Sequence, residues 1–490
     1  MGWKETAEPV LTRMPTVRRP EGHVAFRRKL MWTGGILILY FFLTNVMLLG
    51  VQIDPETGQV GGDLFGEFRT ILAGEHGSLM QVGIGPIVTA SIVLQLLGGA
   101  NLLGLDTNDP RDQVLYQGLQ KLLVIIMTAV TALPMVLAGF LPMESTLELG
   151  GITLDPTGVQ LLMFAQIFVG GVLILYMDEV VSKWGIGSGV GLFIVAGVSQ
   201  MMVAGFLSID EQGFFYSWYR ILTGQVEVGS LVAGDGLNTL FLQDGQLIAL
   251  LTTLLIFAIV VYAESVRVEI PLSHSRVKGA RGRFPVKLIY ASVLPMILVR
   301  ALQANIQFMG QIMASQWDNM PTWLGEYSDG DPVGGFFYYT APIYSPDDWM
   351  WWTGAVTQEW WQVMTRVSVD LTFMVIGGAI FAIFWVETTN MGPDATAQQI
   401  QNSGMQIPGF RQNTGVIEKV MERYIPQVTV IGGALVGLLA VWANMLGTIG
   451  AVDGTGLLLA VSITYKLYEE IAEEQLMEMH PMMRQMFGRE

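Results

Sequence analysis

The sequence lacks cysteine altogether and has only four histidines, His23, His76, His274 and His480. Without cysteine the chain forms no disulfide bonds, thiolate metal sites or cysteine nucleophiles, and histidines so far apart do not indicate a metal site. Charged residues are also few, at 14% of the chain, and Asp and Glu outnumber Lys and Arg by 42 to 26. This excess of carboxylates suits a high-salt cytoplasm, where screening weakens the repulsion between them.

The apolar segments contain none of the residue sets that catalysis requires. They hold no zinc motif, no nucleophile elbow and no pair of carboxylates. The glycine-rich stretch 185–191 lacks the preceding strand and the lysine of a phosphate-binding loop. We expect these glycines to allow close packing of helices or a narrow entry to the fifth span, and Gly433 and Gly437 to allow close packing in the ninth.

Apolar residues are what the sequence has in excess. They make up 51% of the 490 residues, and the mean hydropathy of +0.47 is typical of a polytopic membrane protein. Apolar runs of about 20 residues predict ten membrane-spanning helices. The predicted spans are residues 30–51, 79–98, 118–140, 157–178, 186–206, 245–265, 285–309, 368–387, 426–446 and 451–470. Pro86 in the second span and Pro295 in the seventh predict local bends in those helices. The ten spans divide into two halves of five spans each, which is compatible with an inverted repeat.

The distribution of positive charge predicts the orientation of these spans. An even number of spans places both termini on one side, and 22 of the 26 Lys and Arg residues fall on that side. The positive-inside rule makes it the cytoplasmic side, and no cleavable signal precedes the first span. The predicted parts are a cytoplasmic tail at 1–29, an N-terminal half at 30–206, an extracellular loop at 207–244, a C-terminal half at 245–470 and a cytoplasmic tail at 471–490.

Residues 63–72 form a short amphipathic segment that cannot cross a bilayer. Asp63 can cap its start. Its apolar residues recur at helical spacing and are Leu64, Phe68, Ile71 and Leu72. At 1.5 Å per residue the helix would be about 15 Å long, roughly half the thickness of the hydrocarbon core.

The span that follows changes character along one face. Ile84 and Val88 are succeeded at helical spacing by Ser91 and Gln95. A lipid-facing stripe has no reason to change in this way, whereas a stripe that lines a narrow waist opening into a water-filled funnel does. Other branched apolar residues each lie on a helix face that otherwise carries small or polar residues. They are Val190, Ile194, Ile297 and Leu459. Each of these alone is typical of ordinary core, so only their convergence would indicate a function.

Two predicted cytoplasmic loops, at about 266–284 and 388–425, are candidates for binding an anionic partner. Their cations are Arg276, Lys278, Arg281 and Arg283 in the first loop and Arg411, on a Pro-Gly turn, in the second. In a chain of net charge −16, such loops favour docking to RNA or to an acidic partner. The alternative is that these charges only enforce the topology.

With these residues the chain resembles the SecY family, the channel subunit of the Sec protein translocon, and in particular its haloarchaeal members. The resemblance is carried by GIGPIVTASIVLQLL (83–97), GIGSGVGLFI (185–194), FPVKLIYASVLP (284–295), IPGFR (407–411) and DGTGLLLAVSI (453–463). These stretches occur in order, on the predicted topology and over nearly the whole chain, which makes the match specific.

The resemblance implies an all-α polytopic membrane protein. Its ten transmembrane helices would form two inverted five-helix halves around a central hourglass pore, and spans two and three against seven and eight would form a lateral gate. A ring of apolar side chains would close the waist, namely Ile84, Val88, Val190, Ile194, Ile297 and Leu459. A short plug helix would seal it from outside, with residues Asp63, Leu64, Phe65, Phe68, Ile71 and Leu72. Cytosolic partners would dock on Arg276, Lys278, Arg281, Arg283 and Arg411.

The function that the resemblance implies is a protein-conducting channel rather than an enzyme. It would translocate unfolded polypeptides across the cytoplasmic membrane and release hydrophobic segments laterally into lipid, without a cofactor. The implied partners are small single-span Sec subunits (SecE-like and beta/SecG-like), the ribosome and nascent chain, signal sequences and the lipid bilayer.

Three other classes of protein are open alternatives. A secondary transporter for a small solute would also use broken helices, but it needs charges at mid-membrane. A membrane-embedded enzyme needs a catalytic set, and a structural scaffold would not need a half-length helix. Away from the cytoplasmic ends of the spans, the charged residues are Arg300, Asp370 and Asp453. Relatives carry small apolar residues where Arg300 stands, and we expect this arginine to line the outer funnel.

Overall fold

The computed structural model describes residues 3–22, 24–53, 60, 69–99, 103–105, 109–149, 152–209, 213–226, 235–241, 245–274, 281–289, 294–317, 320–328, 331–353, 356–389, 391–402, 405–406, 414–450 and 452–479. Most of these residues are helical. The helices are α1 (Trp3–Leu11), α2 (Phe26–Thr44), α3 (Arg69–Leu72), α4 (Gly85–Gly99), α5 (Pro110–Leu137), α6 (Pro156–Trp184), α7 (Gly189–Leu207), α8 (Phe214–Leu222), α9 (Asp235–Phe241), α10 (Leu247–Ser265), α11 (Leu294–Gln316), α12 (Gly335–Thr340), α13 (Trp360–Thr388), α14 (Pro393–Asn402), α15 (Thr414–Leu446) and α16 (Gly454–Met479).

The strands are short and form three small antiparallel sheets. They are β1 (Leu147–Leu149), β2 (Ile152–Leu154), β3 (Arg267–His274), β4 (Arg281–Lys287), β5 (Glu326–Ser328), β6 (Asp331–Gly334) and β7 (Met405–Gln406). The sheets have the orders β1-β2, β4-β3-β7 and β5-β6. Two 3-10 helices span Pro346–Asp348 and Trp351–Thr353.

Ten of the described helices have 15 residues or more, and each overlaps one predicted span. They are α2, α4, α5, α6, α7, α10, α11, α13, α15 and α16. Six of these, α5, α6, α7, α10, α13 and α15, are long and apolar enough to cross a membrane by length and composition alone. The all-α, multi-span character predicted from the sequence is therefore confirmed. Of the others, α4 is short, at 15 residues, and α2, α11 and α16 carry charged side chains such as Arg27, Arg300 and Glu469.

Pro86 does not bend α4, so the expectation of a bend there is wrong. It is the second residue of the helix, which begins at 85, later than the predicted span. Proline is well tolerated in the first turn, because its missing N–H would have no intrahelical partner there and its fixed φ suits a helix. Residues 290–293 lie outside the described residues, so the bend predicted at Pro295 stays a prediction.

The described parts of the predicted loop at 266–284 are extended, and so is the start of the predicted span 285–309. β3 pairs with β4, with Ile270 opposite Phe284. Ile270, Phe284 and Val286 pack against apolar residues of α14 and α15. The end of β3 also pairs with β7, which belongs to the second predicted cytoplasmic loop. One sheet therefore joins two loops that are separate in the sequence.

The two ends of the described chain meet at one end of the helix bundle. Lys29 in the first turn of α2 pairs with Glu474 near the end of α16, at 2.5 Å. Glu8 in α1 pairs with Arg111 at the start of α5, also at 2.5 Å. The amino-terminal segment and the end of α16 therefore lie on the same side as the start of α5.

Helices α13 and α15 approach closely where glycines lie at their contact. A Cβ atom at Gly433 would lie 2.5 Å from the carbonyl oxygen of Gly378, and one at Gly437 would lie 2.4 Å from that of Met374. A side chain at either position would therefore separate the helices. The close packing predicted at Gly433 and Gly437 is confirmed.

We expect Gly437→Ala to lower the thermal unfolding midpoint, because the added methyl group forces α15 away from α13. Overpacking of this kind costs about 1–3 kcal/mol. The matched control is Gly35→Ala in α2, since nothing lies within 4 Å of the Cβ position there and alanine favours a helix. Thermal unfolding of the purified variants in detergent measures the difference, and equal midpoints for the two would contradict the close approach.

Candidate functional site

The six apolar residues singled out in the sequence are contributed by four helical segments. Ile84 immediately precedes α4 and Val88 lies in its first turn, whereas Val190 and Ile194 lie on α7, Ile297 on α11 and Leu459 on α16. Five of them are buried members of the same hydrophobic cluster, and Val190 is partly buried against it. The cluster also contains Ile71 of α3.

The segment 63–72 is described only at its end. Asp63, Leu64, Phe65 and Phe68 lie outside the described residues. Ile71 and Leu72 lie in α3 and are buried. Helix α3 contacts α7, α11 and α16, three of the helices that carry the apolar residues. Leu72 belongs to a second, neighbouring cluster that includes Phe308 and Tyr344.

The loop of residues 73–84 joins α3 to α4, and a turn that contains Gly83 brings its end back to the end of α3. The backbone N–H of Ile84 donates to the carbonyl oxygen of Leu72 at 2.7 Å. Gly83 has a φ of +50°, and a Cβ there would lie 2.2 Å from that same oxygen. Glycine is therefore required for this contact, because both the left-handed conformation and the space exclude a side chain. The hydroxyl of Tyr40 donates to the carbonyl of Ala73 at 3.0 Å and holds the turn against α2.

Two hydrogen bonds connect α4 to its neighbours. The amide nitrogen of Asn305 on α11 donates to the Thr89 hydroxyl at 3.1 Å. The amide nitrogen of Gln120 on α5 donates to the Ser91 hydroxyl at 3.4 Å. The polar end of the α4 stripe is thus engaged with other helices, and Gln95 is buried rather than facing open water.

Arg300 does not line a funnel, so that expectation is wrong. Its side chain and that of Asp370 on α13 are both 0% exposed, and Arg300 Nη1 lies 3.0 Å from Asp370 Oδ1. Nη1 also donates to the Gln303 amide oxygen at 2.8 Å. The arginine faces the neighbouring helix because a buried cation needs an anionic partner. Its Nε and Nη2 have no hydrogen-bond partner within the part of the chain that the structure describes.

Sequence reasoning did not find this ion pair. The residues lie 70 positions apart. The sequence did contain a signal for it, namely Arg300 in one apolar segment and Asp370 in another. Because charges within membranes usually pair, these two residues could have been predicted to meet.

The predicted docking residues fall mostly outside the description. Arg276, Lys278 and Arg411 lie outside the described residues. Arg281 and Arg283 are in β4, opposite Ser273 and Pro271 of β3. The backbone of the β4-β3-β7 sheet therefore brings the ends of both basic loops to one edge.

The sequence and the fold both match known proteins. A family model described as SecY matches residues 78–468, and one described as the plug domain of Sec61p matches residues 38–77. The protein translocase subunit SecY of Haloarcula marismortui is 69% identical over 494 residues, which cover 100% of both chains. A solved protein-conducting channel has a TM-score of 0.78 and 38% identity, covering 97% of this chain and 98% of that one. Sec61 in the canine ribosome-channel complex from the endoplasmic reticulum has a TM-score of 0.76 with the same identity and coverage.

We expect Gly83→Ala to displace α3 from the start of α4, because the new methyl group would overlap the Leu72 carbonyl oxygen. A single reporter substitution, Ile71→Cys, detects this, since the chain has no other cysteine and Ile71 is only 1% exposed. Reaction of the thiol with a water-soluble maleimide is expected to accelerate at least about tenfold, which corresponds to about 1.4 kcal/mol of easier local opening.

Gly85→Ala is the matched control for this measurement. Its Cβ would meet only the Leu72 side chain, at an ordinary 3.6 Å, and its φ is not in the left-handed region. Equal thiol reactivity in the Gly83 and Gly85 variants would contradict the role assigned to the turn.

Proposed function

Because the chain belongs to the SecY family, we propose that it forms the channel through which unfolded polypeptides cross the cytoplasmic membrane and from which hydrophobic segments pass sideways into lipid. The observation that carries this proposal is the full-length match to a translocase subunit, combined with the short helix α3, which packs against three helices of the central cluster. The relatives are channel subunits, so neither a membrane-embedded enzyme nor a solute transporter is favoured.

The proposed constriction is the ring formed by Ile84, Val88, Val190, Ile194, Ile297 and Leu459. Branched apolar side chains exclude water and ions without recognising any particular sequence, which suits a channel for chains of every composition. Support comes from the burial of these residues in one cluster, contributed by four helices. A passing chain would separate the side chains, and they would close again behind it.

Residues 63–72 are proposed as the plug that covers this ring from outside. Their described end, α3, supports the proposal. Ile71 packs in the cluster of the ring residues, and the carbonyl oxygen of Leu72 accepts a hydrogen bond from the backbone N–H of Ile84. The plug-domain match at residues 38–77 includes the whole segment. The Gly83 turn would then act as the hinge between plug and pore.

The lateral gate is proposed between α4 and α5 on one side and α11 and α13 on the other. Contacts of α4 with both α11 and α13 support it. The hydrogen bond between Asn305 and Thr89 would hold the gate closed and would break when it opens. A chain segment in the open gate meets lipid, and it leaves the channel if its own surface is apolar, because only such a segment gains by the transfer.

The cytoplasmic side is proposed to be the side that holds both termini and the β4-β3-β7 sheet. The contact of α2 with the end of α16 supports placing both termini on one side. The basic loops that end at this sheet would dock the ribosome, as a relative in a ribosome-channel complex does. Small single-span Sec subunits are the other proposed partners, since the family works as a translocase of several subunits.

The test of the proposed pore is the ion leak of idle channels in lipid vesicles. We expect the joint change of Ile84, Val88 and Ile297 to alanine to raise the leak several-fold, because the constriction loses the side chains that exclude water. The matched control changes Ile174, Val198 and Ile256, which are buried in the same cluster but lie outside the ring. Both triple variants lose stability by a similar amount, about 2–5 kcal/mol for each isoleucine. Equal leaks from the two would refute the ring assignment.

The docking proposal predicts a loss of ribosome affinity when the charge of the first loop is reversed. The variant is Arg276→Glu combined with Arg281→Glu and Arg283→Glu, and its binding should also depend less steeply on salt, because fewer phosphates of RNA are contacted. Arg267→Glu is the control, since this exposed residue lies at the opposite end of the same hairpin. Cosedimentation with ribosomes at several salt concentrations measures both effects, and an unchanged affinity would count against docking.

A further inference from the structure

A buried polar network links helix α11, helix α13 and the segment that follows α12. Asp370 on α13 accepts from Arg300 and from Gln303, each at 3.0 Å. Its second oxygen accepts from the backbone N–H of Ile343 at 3.3 Å. Gln303 also donates to the carbonyl of Thr340 at 3.0 Å. One carboxylate therefore receives donors from two other parts of the chain.

Further side chains from the same two helices hold α12 and the segment that follows it. Arg366 on α13 donates to the carbonyls of Ala341 at 3.1 Å and Pro342 at 2.6 Å, just after α12. Gln307 on α11 donates to the carbonyl of Phe337, within α12, at 3.1 Å. A short stretch of backbone is thus attached to α11 through α12 and to α13 through the residues that follow.

A groove of about 750 Å³ lies beside this network, lined by Val299 and Leu302 of α11 and by a row of α13 residues that includes Phe373. The two helices are close there, since a Cβ at Gly377 of α13 would lie 3.0 Å from the Val299 side chain. The buried ion pair and its hydrogen bonds therefore add a polar connection to the apolar packing of α11 against α13.

The opposite side of α11 carries the contact with α4. Asn305 follows Arg300 by five residues, which places the two side chains about 140° apart around the helix axis. Arg300 therefore faces α13 while Asn305 reaches Thr89. Ile297 lies one turn before Arg300 on α11. The rotation of α11 about its axis therefore also sets the direction of the Ile297 side chain.

We propose that Arg300, Gln303 and Asp370 are positioning residues of the gate, which join α11, α13 and the segment after α12 into one unit. This inference rests on the proposed function of the chain as a channel with a gate between α4 and α11. The unit holds α11 at the rotation where Ile297 enters the cluster and Asn305 meets Thr89. When the gate opens, α11 separates from α4 and stays with α13.

The test uses the double variant Arg300→Met with Asp370→Leu. A single substitution would leave one buried charge without its partner and is expected to unfold the protein, whereas the double variant removes both charges and keeps apolar volume. We expect it to fold with a thermal midpoint near that of the parent. Its idle ion leak in vesicles should rise several-fold, because α11 is free to rotate Ile297 out of the cluster.

A covalent replacement of the ion pair then distinguishes positioning from a general loss of structure. A Cβ at Gly377 of α13 would lie 3.8 Å from the Cβ of Val299 of α11, which is the usual separation in a disulfide. Val299→Cys with Gly377→Cys, added to the double variant, should restore the low leak when oxidised and not when reduced. Thr372→Val is the control on α13, because the Thr372 hydroxyl donates to the carbonyl of Ser368 within its own helix, and the leak of this variant should equal that of the parent.

The outcomes separate this inference from the proposed function. If the double variant leaks no more than the parent, or if oxidation does not reduce its leak, the positioning role is wrong. If the unmodified channel fails to translocate a chain in the same vesicles, the proposed function itself is wrong. Restoration by oxidation, with normal translocation by the parent, supports both.

Discussion

The apolar contact between α3 and the cluster formed by α4, α7, α11 and α16 is the constraint around which the rest of the structure is arranged. Backbone groups cannot stay unpaired at membrane depth, so the chain has to bring the short helix α3 to this contact without leaving donors or acceptors free. The turn at Gly83 achieves this, because it lets the Ile84 N–H reach the Leu72 carbonyl. Side chains that meet only through apolar surface can part and meet again, which a closure based on specific hydrogen bonds would do less easily.

Polar interactions are few within the bundle, and they lie where helices must keep a fixed relation. Thr89 and Asn305 share one hydrogen bond across the proposed gate, a contact weak enough to break. Arg300 and Asp370 form a fully buried ion pair within one side of that gate. Breaking such a pair leaves an uncompensated charge, so this junction is far more costly to open. We expect the contrast between the two contacts to decide which helices separate in the proposed gate and which stay together.

Much of the fold can be predicted from the sequence because the bilayer fixes the length of a span, and the same limit identifies 63–72 as too short to cross. The effect of Pro86 could not be predicted, because it depends on whether the residue begins a helix or interrupts one, and an apolar run does not mark that point. The partner of Arg300 could not be predicted either, since it depends on which helices become neighbours. The pairing of β7 with β3 likewise joins residues more than 100 positions apart. Local sequence patterns therefore predict the helices, whereas the details of the site depend on contacts between residues that lie far apart in the chain.

The most direct measurement of the apolar closure is the reactivity of single cysteines introduced at positions 84, 88 and 297, probed with membrane-impermeant reagents from each side of sealed vesicles. The chain has no cysteine of its own, so each reporter is read without background. We predict that all three positions are unreactive from both sides in the idle channel and form cross-links to a polypeptide stalled during passage. Reaction of any of them from either side of the idle channel, or cross-links that form only elsewhere, would contradict the account.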